Sequence, residues 1–179
     1  MHFFCIELDK LLNNSDFKDA KIYHYCRTDY AKKANAAFLM GAYEIIYLSR
    51  TAEEAWKVFE GESFIPFRDA TDFPCTYKCT LLHCFEAIEW AMKLGWYDRN
   101  TFNAVEYQEY ASIENGDLNW IIPRKLMAFS TPIDESEEVK DAKFTSEFYI
   151  PKLKELGITA VFRVGAKEYD RQVICFIIT

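Results

Sequence analysis

Basic residues, histidine, glycine and proline are all in short supply in this sequence of 179 residues. There are 21 Lys and Arg against 28 Asp and Glu, a formal net charge of −7. That balance argues against a duplex nucleic-acid binder, which must replace condensed counterions with cationic side chains. No nucleic-acid partner is therefore expected, and a basic peptide is the better electrostatic match. Histidine occurs only as His2, His24 and His83. Cys79 and His83, four apart in a helical pattern, offer two zinc ligands where a site needs four. No metal and no cofactor is expected. The six glycines and five prolines are scattered, so there is no collagenous or linker-like tract. No apolar run approaches the length of a membrane span. The opening M-H-F-F-C-I-E-L-D-K lacks the basic and then apolar regions of a secretory signal, and no membrane partner is expected. Cys-x-x-Cys, Gly-x-Ser-x-Gly, His-Glu-x-x-His and the Gly-rich phosphate loop ending in Lys-Ser/Thr are all absent. Free thiols in a reducing, intracellular setting, cytoplasmic and/or nuclear, follow from this cysteine usage.

What the chain has is apolar mass: 50% hydrophobic and 17% aromatic residues, ample for a packed core. Phe4, Leu8, Leu11 and Leu12 recur at helical spacing, and Asn13 to Asp16 ends that helix. Lys21 to Cys26 alternates and is aromatic, which predicts a strand. A long helix follows from Ala31 to Leu48. Thr51 and Glu54 form a capping box for a helix over 52–60 that Gly61 closes. Phe64 to Asp69 reads as extended, Thr76 to Leu94 as a helix ending at Gly95, and Asn103 to about Ile113 as a shorter one. After the turn at Asn115-Gly116, residues 120–123 and 126–129 read as strands joined by a basic turn at Arg124-Lys125. Thr145 caps a helix to Leu156, with Gly157 at its end. Thr159 to Val164 and Val173 to Ile178 read as strands, and a chain ending in a buried-looking strand resembles either a truncated domain or an ordinary C-terminal strand. Alternating helices and strands put the chain in the α/β class. Three segments follow: 1–130, an acidic linker at 131–143, and 144–179.

The cysteines invite a specific test. A cysteine-dependent phosphatase pairs a nucleophilic thiolate with an Arg six positions later, whose planar fork clamps the phosphoryl oxygens. The loop between them aims N–H groups at the phosphate, and a following helix N-terminus adds partial positive charge. Here Cys5 is followed at that distance by Leu11, Cys26 by Lys32, Cys75 by Leu81, Cys79 by Phe85 and Cys84 by Trp90, while Cys175 lies too near the end. Every cysteine fails. His83-Cys84 imitates the usual His-Cys opening but lies inside a helical pattern. Cys26 has the right surroundings, a strand before it and a helix after it. Its loop, R-T-D-Y-A-K, places Asp29 and Tyr30 where glycines belong and Lys32 where the Arg belongs.

Several blocks together resemble one family, the cell-division-cycle-fourteen dual-specificity protein phosphatases. They are K-K-A-N-A-A-F-L-M-G-A-Y-E-I-I-Y-L (32–48), T-A-E-E-A-W (51–56), F-I-P-F-R-D-A (64–70), C-T-Y (75–77) and E-N-G-D-L-N-W-I-I-P-R-K-L-M-A-F (114–129). Their order and spacing agree from near the start to about Val164. The resemblance implies two phosphatase-like domains in tandem. The second carries the Cys-to-Arg loop and a general-acid Asp. The first has lost its loop and shapes substrate binding. This chain is similar to the first domain, the linker and the opening helix and strand of the second. A dual-specificity-phosphatase-like three-layer fold is then expected, a central sheet flanked by helices with a degenerate catalytic loop at Tyr25, Cys26, Asp29 and Lys32.

The resemblance also implies a function: a substrate-recognition and scaffold domain, partnered by a catalytic domain normally in the same chain, and inactive by itself. Its substrates would be phosphoserine-proline peptides with basic residues downstream, received by an acidic groove. Asp117 and Glu147 match groove acids. Two further acids expected before Asn115 are replaced by Gln108 and Ala111, with Glu106, Glu109 and Glu114 near enough to compensate. The alternative is a stand-alone module that binds basic, proline-directed peptides without chemistry.

Overall fold

The computed structural model describes residues 1–69, 73–133 and 143–164. The chain forms two compact units, Met1–Phe102 and Asn103–Thr179. The linker read at 131–143 and the strand read at 173–178 fall largely or wholly outside the described residues.

Unit one is helical. Helix α1 spans His2–Leu12, α2 Tyr30–Leu48, α3 Ala52–Lys57 and α4 Leu81–Lys93. The long α2 is the centre, because its small and branched residues expose two apolar stripes. Ala42, Tyr43 and Ile46 meet Cys5 and Leu8 of α1, and the Tyr43 hydroxyl donates to Asp9 Oδ1 at 3.1 Å. Ala37 and Ile45 meet Leu81 and Phe85 of α4 together with Ala52 and Ala55 of α3. The Thr51–Glu54 capping box predicted from sequence starts α3. Helix α4 begins five residues later than periodicity suggests. Phe67 and Cys79 pair through two backbone hydrogen bonds of 2.8 and 3.1 Å, which holds 76–79 extended. Thr80 then caps the helix, with His83 completing a reciprocal box. Cys79 therefore lies outside the helix that was expected to carry it.

Unit two contains α5 (Ala104–Tyr110), an antiparallel hairpin of β1 (Leu118–Ile122) and β2 (Leu126–Phe129), and α6 (Ser146–Glu155). Pro123 and Arg124 form the turn, closed by Lys125 N–H to Ile122 O at 3.0 Å, with Arg124 at φ 59°. Leu118, Tyr149 and Leu153 are its buried core. Thr145 occupies the N-cap of α6 without a side-chain capping bond.

The helices and hairpin give a mixed α and β chain, but the expected central sheet is absent among the described residues, where the only sheet has two strands. Among the described residues, Lys21 to Cys26 pairs with no strand, and it is exposed throughout. Residues 159–164 are likewise outside any ladder, and Phe162 is 86% exposed. An alternating pattern specifies a strand only when a neighbour exists to take its hydrogen bonds and cover one face.

Candidate functional site

The start of α2 shows how the local sequence disposes of a potential anion site. Free N–H groups and the helix dipole make a helix N-terminus receptive to negative charge. Here Asp29 supplies that charge internally: its Oδ1 accepts from Lys32 N–H at 3.0 Å and its carbonyl accepts from Lys33 N–H at 2.9 Å. The side chain of Lys32 is exposed, as are Tyr25 and Cys26, with Tyr25 at 89%. Thiol, carboxylate and lysine thus lie close in sequence around the start of α2, with all three exposed. Elsewhere in the unit, Cys84 Sγ stands 3.6 Å from Cys79 Sγ. Burial, followed by that contact, pushes the Cys84 thiol up to about 12, so it is unsuited to act as a thiolate nucleophile. The absence of any group of three His, Cys, Asp or Glu able to hold a metal, among the described residues, leaves no metal site there. No helix among them is long and apolar enough to cross a membrane.

The second site is built on E-N-G-D. Two consecutive left-handed residues, Gly116 at φ 101° and Asp117 at φ 50°, turn the chain from the 3₁₀ turn Ile113–Asn115 into β1. Gly116 is required twice over. A Cβ there would lie 2.7 Å from Tyr149 Cε1 and 2.9 Å from Phe148 Cε1. Tyr149 donates its hydroxyl to Gly116 O at 2.8 Å, and Lys152 Nζ donates to Asn115 O at 3.1 Å. Asp tolerates the left-handed region better than most residues because its short carboxylate finds local partners. Asp117 Oδ2 accepts from Ser130 Oγ at 3.0 Å, and Asn119 Nδ2 reaches Oδ1 at 3.5 Å. Beside them, Asn119 Oδ1 is buried and accepts no hydrogen bond. Asp117 is close enough to Tyr149 for its charge to add to burial in pushing that phenol up to about 12.

The other expected acids divide into separate places. Glu106 and Glu109 on α5 join Glu155 at the end of α6 around Tyr110, whose hydroxyl is raised first by burial and then by Glu106, Glu155 and Glu109. Glu114 lies in the 3₁₀ turn, exposed. Glu147 is exposed in the first turn of α6, where an acid also complements the helix dipole. Eight residues separate it from Glu155, about 12 Å along the axis. Gln108 is exposed, and Ala111 ends α5. Ser130, Asn119, Tyr149 and Glu155 were not anticipated. Only the hydroxyl of Ser130, thirteen residues beyond Asp117, becomes a neighbour through strand pairing, which local pattern does not disclose.

Comparison with known proteins adds the wider setting. Residues 1–91 match the family described as "Dual specificity protein phosphatase, N-terminal half". The dual specificity protein phosphatase CDC14B of Mus musculus is 41% identical over 170 residues, covering 93% of this chain and 35% of that protein. Its counterpart CDC14A of Homo sapiens is 42% identical over 171 residues, covering 93% of this chain and 29% of that protein. The tyrosine-protein phosphatase CDC14 of Saccharomyces cerevisiae is 25% identical over 134 residues, 74% of this chain. The chain thus spans about a third of the length of the curated relatives it matches.

Proposed function

The chain belongs to the family formed by the N-terminal halves of dual specificity protein phosphatases, and from that membership we propose that it is the substrate-recognition and scaffold half of such an enzyme. It carries no catalytic step itself. Its partner is a catalytic phosphatase domain, and together they act on phosphopeptides with basic residues after the phosphorylated site. The cysteine spacing supports the first statement, since none of the six cysteines has an Arg at the required distance. Asp29 supports it too, because it occupies helix N–H groups that a phosphate loop leaves open.

The single observation that favours substrate contact is the partly exposed carboxylate of Asp117. The Asp117 carboxylate accepts from Ser130 Oγ, and among the described residues it forms no ion pair. A Lys or Arg side chain brings several N–H donors and a positive charge, which suits it to a partly exposed carboxylate. Glu147, Glu114, Glu109 and Glu106 contribute a diffuse negative field rather than a shaped pocket.

Two measurements test this. The purified chain should not hydrolyse a generic aryl phosphate; turnover that disappears in Cys26→Ser would overturn the non-catalytic assignment. Fluorescence anisotropy with a phosphoserine-proline peptide carrying downstream Lys and Arg should show weak, salt-sensitive binding. Asp117→Asn should weaken it by about twofold to fivefold, as expected for loss of a partly exposed ion pair. Equal binding of a peptide with its Lys and Arg replaced by Gln would reject the acidic contact.

A further inference from the structure

The start of α4 carries an unusual version of a common device. In many helices the residue before the N-cap packs against the fourth helical residue across the first turn, usually as two apolar side chains. With Thr80 as N-cap, those two positions are Cys79 and Cys84. Both are thiols, both are partly exposed, and their sulfurs stand 3.6 Å apart. A disulfide bond is about 2.05 Å long, so the sulfurs must approach by about 1.6 Å.

Both backbones are held in register for that approach. Cys79 is pinned to Phe67 by hydrogen bonds of 2.8 and 3.1 Å. The first turn of α4 is pinned by the reciprocal Thr80–His83 box, with His83 N–H donating to Thr80 Oγ1 at 3.2 Å and Thr80 N–H to His83 Nδ1 at 3.3 Å. The other described cysteines differ. Cys5 is buried beneath α2. Cys26 is exposed in the segment before α2. Cys75 donates its thiol to Tyr77 O at 2.9 Å.

We propose that Cys79 and Cys84 form a reversible intramolecular disulfide when the protein meets a peroxide, a covalent staple across the first turn of α4. The chemistry balances with hydrogen peroxide as the oxidant. The sulfur of Cys79 takes one oxygen and becomes a sulfenic acid, and the second oxygen leaves as water. The sulfur of Cys84 then bonds to that of Cys79, the S–O bond breaks, and the hydroxyl leaves as water with the Cys84 proton. Two thiols and one peroxide give one disulfide and two waters. Cys84 reacts second: its half-buried thiol, pushed up to about 12, keeps its proton against free peroxide, and gives it up to the leaving hydroxyl only once the sulfenic acid of Cys79 stands beside it. A dithiol reductant reverses the staple by exchange.

The test uses the full chain, purified reduced, treated with hydrogen peroxide at low protein concentration, denatured, and alkylated with iodoacetamide before peptide mass spectrometry. Labelling should fall at least tenfold at Cys79 and Cys84 together. One peptide species joining them should appear, lighter by about 2 Da than the reduced form, and dithiothreitol before alkylation should restore both labels. In Cys84→Ser, Cys79 should instead yield a dimedone adduct, the signature of a sulfenic acid with no resolving thiol. Loss of label at only one of the two, or a disulfide joining either to a different cysteine, or full labelling of both after peroxide, overturns the proposal. The wild-type mapping stands even if the serine variant folds poorly.

Discussion

Gly41 on α2 faces Phe85 on α4, and a single methyl group added there should be felt across unit one. A Cβ at Gly41 would lie 2.1 Å from Phe85 Cζ, 2.4 Å from Cε1 and 2.8 Å from Cε2. The ring has little room to move aside. Phe85 is fully buried among Ala37, Ile45, Ala52, Ala55 and Leu81, with the ring of Phe59 at 6.1 Å. Relief must come from separating α2 and α4, the two helices that share this core. Two terms compete in Gly41→Ala. Alanine is the better helix former by about 0.8–1.0 kcal/mol. Overpacking a dense core costs about 1–3 kcal/mol, and contact with three ring atoms puts this site at or above the upper end. The net loss is about 2 kcal/mol. Urea unfolding followed by far-UV circular dichroism measures it. With an m-value of about 2 kcal/mol/M, the midpoint should drop by about 1 M without a change in slope. Phe85→Leu in the same background makes room for the methyl. The double variant should therefore be more stable than the sum of the single losses by about 1 kcal/mol or more. A midpoint for Gly41→Ala at or above wild type, or strict additivity with Phe85→Leu, would refute the close-approach argument.

Tyr149→Phe should cost about 1–2 kcal/mol at neutral pH, since it orphans the buried Gly116 carbonyl. The same phenol gives an alkaline signature. Its folded value near 12 exceeds the unfolded value near 10. Its contribution is thus intact below pH ~10 and is lost as pH rises towards ~12, because the unfolded chain releases the proton first. Urea midpoints across that range should fall less steeply in Tyr149→Phe, with the residual slope due to the other raised groups, Tyr43, Tyr47, Tyr97, Tyr110, Cys5 and Cys84. On the acid side, Lys93 and then the Ala52 N–H hold the Glu89 carboxyl below its usual range. Its contribution is present above pH ~4.3 and is lost as pH falls through the lower folded value, so an acid titration of Glu89→Gln should show a shallower decline between pH ~5 and ~3. Arg124→Gly should raise the thermal midpoint. It relieves a left-handed non-glycine residue worth about 1–2 kcal/mol, against the greater freedom glycine gives the unfolded chain.

Most of the helices could be read from sequence because their signals are local. Thr51 and Glu54 cap α3 as their spacing says, and Asp29 precedes a continuous α2 that ends at Leu48 as read. What escaped reading depends on partners distant along the chain. Thr76 reads as the helix start from sequence, but Cys79 pairs with Phe67 and the helix begins only after Thr80. Lys21 to Cys26 alternates like a strand, yet among the described residues it and 159–164 join no ladder. At the candidate site, Asp117 was picked out by resemblance and Gly116 by its turn signal. Their fixing by Ser130 and Tyr149 depends on hairpin and helix packing. The expected acids lie in separate places rather than in one groove. Glu155, which completes the cluster around Tyr110, sits far from Glu106 and Glu109 in sequence and is brought to them by α6.

The aspartate at the head of α2 can also be viewed as a tethered competitive ligand. Three residues from the N–H it occupies, it is presented at an effective concentration on the order of millimolar or above. A free phosphate group would have to displace it and would meet its negative charge while doing so. Replacing Lys32 by Arg would therefore leave this helix end closed to phosphate. Anion binding at this position would have to begin by removing Asp29, and the first cost of that step is the loss of the cap that starts the central helix of the unit.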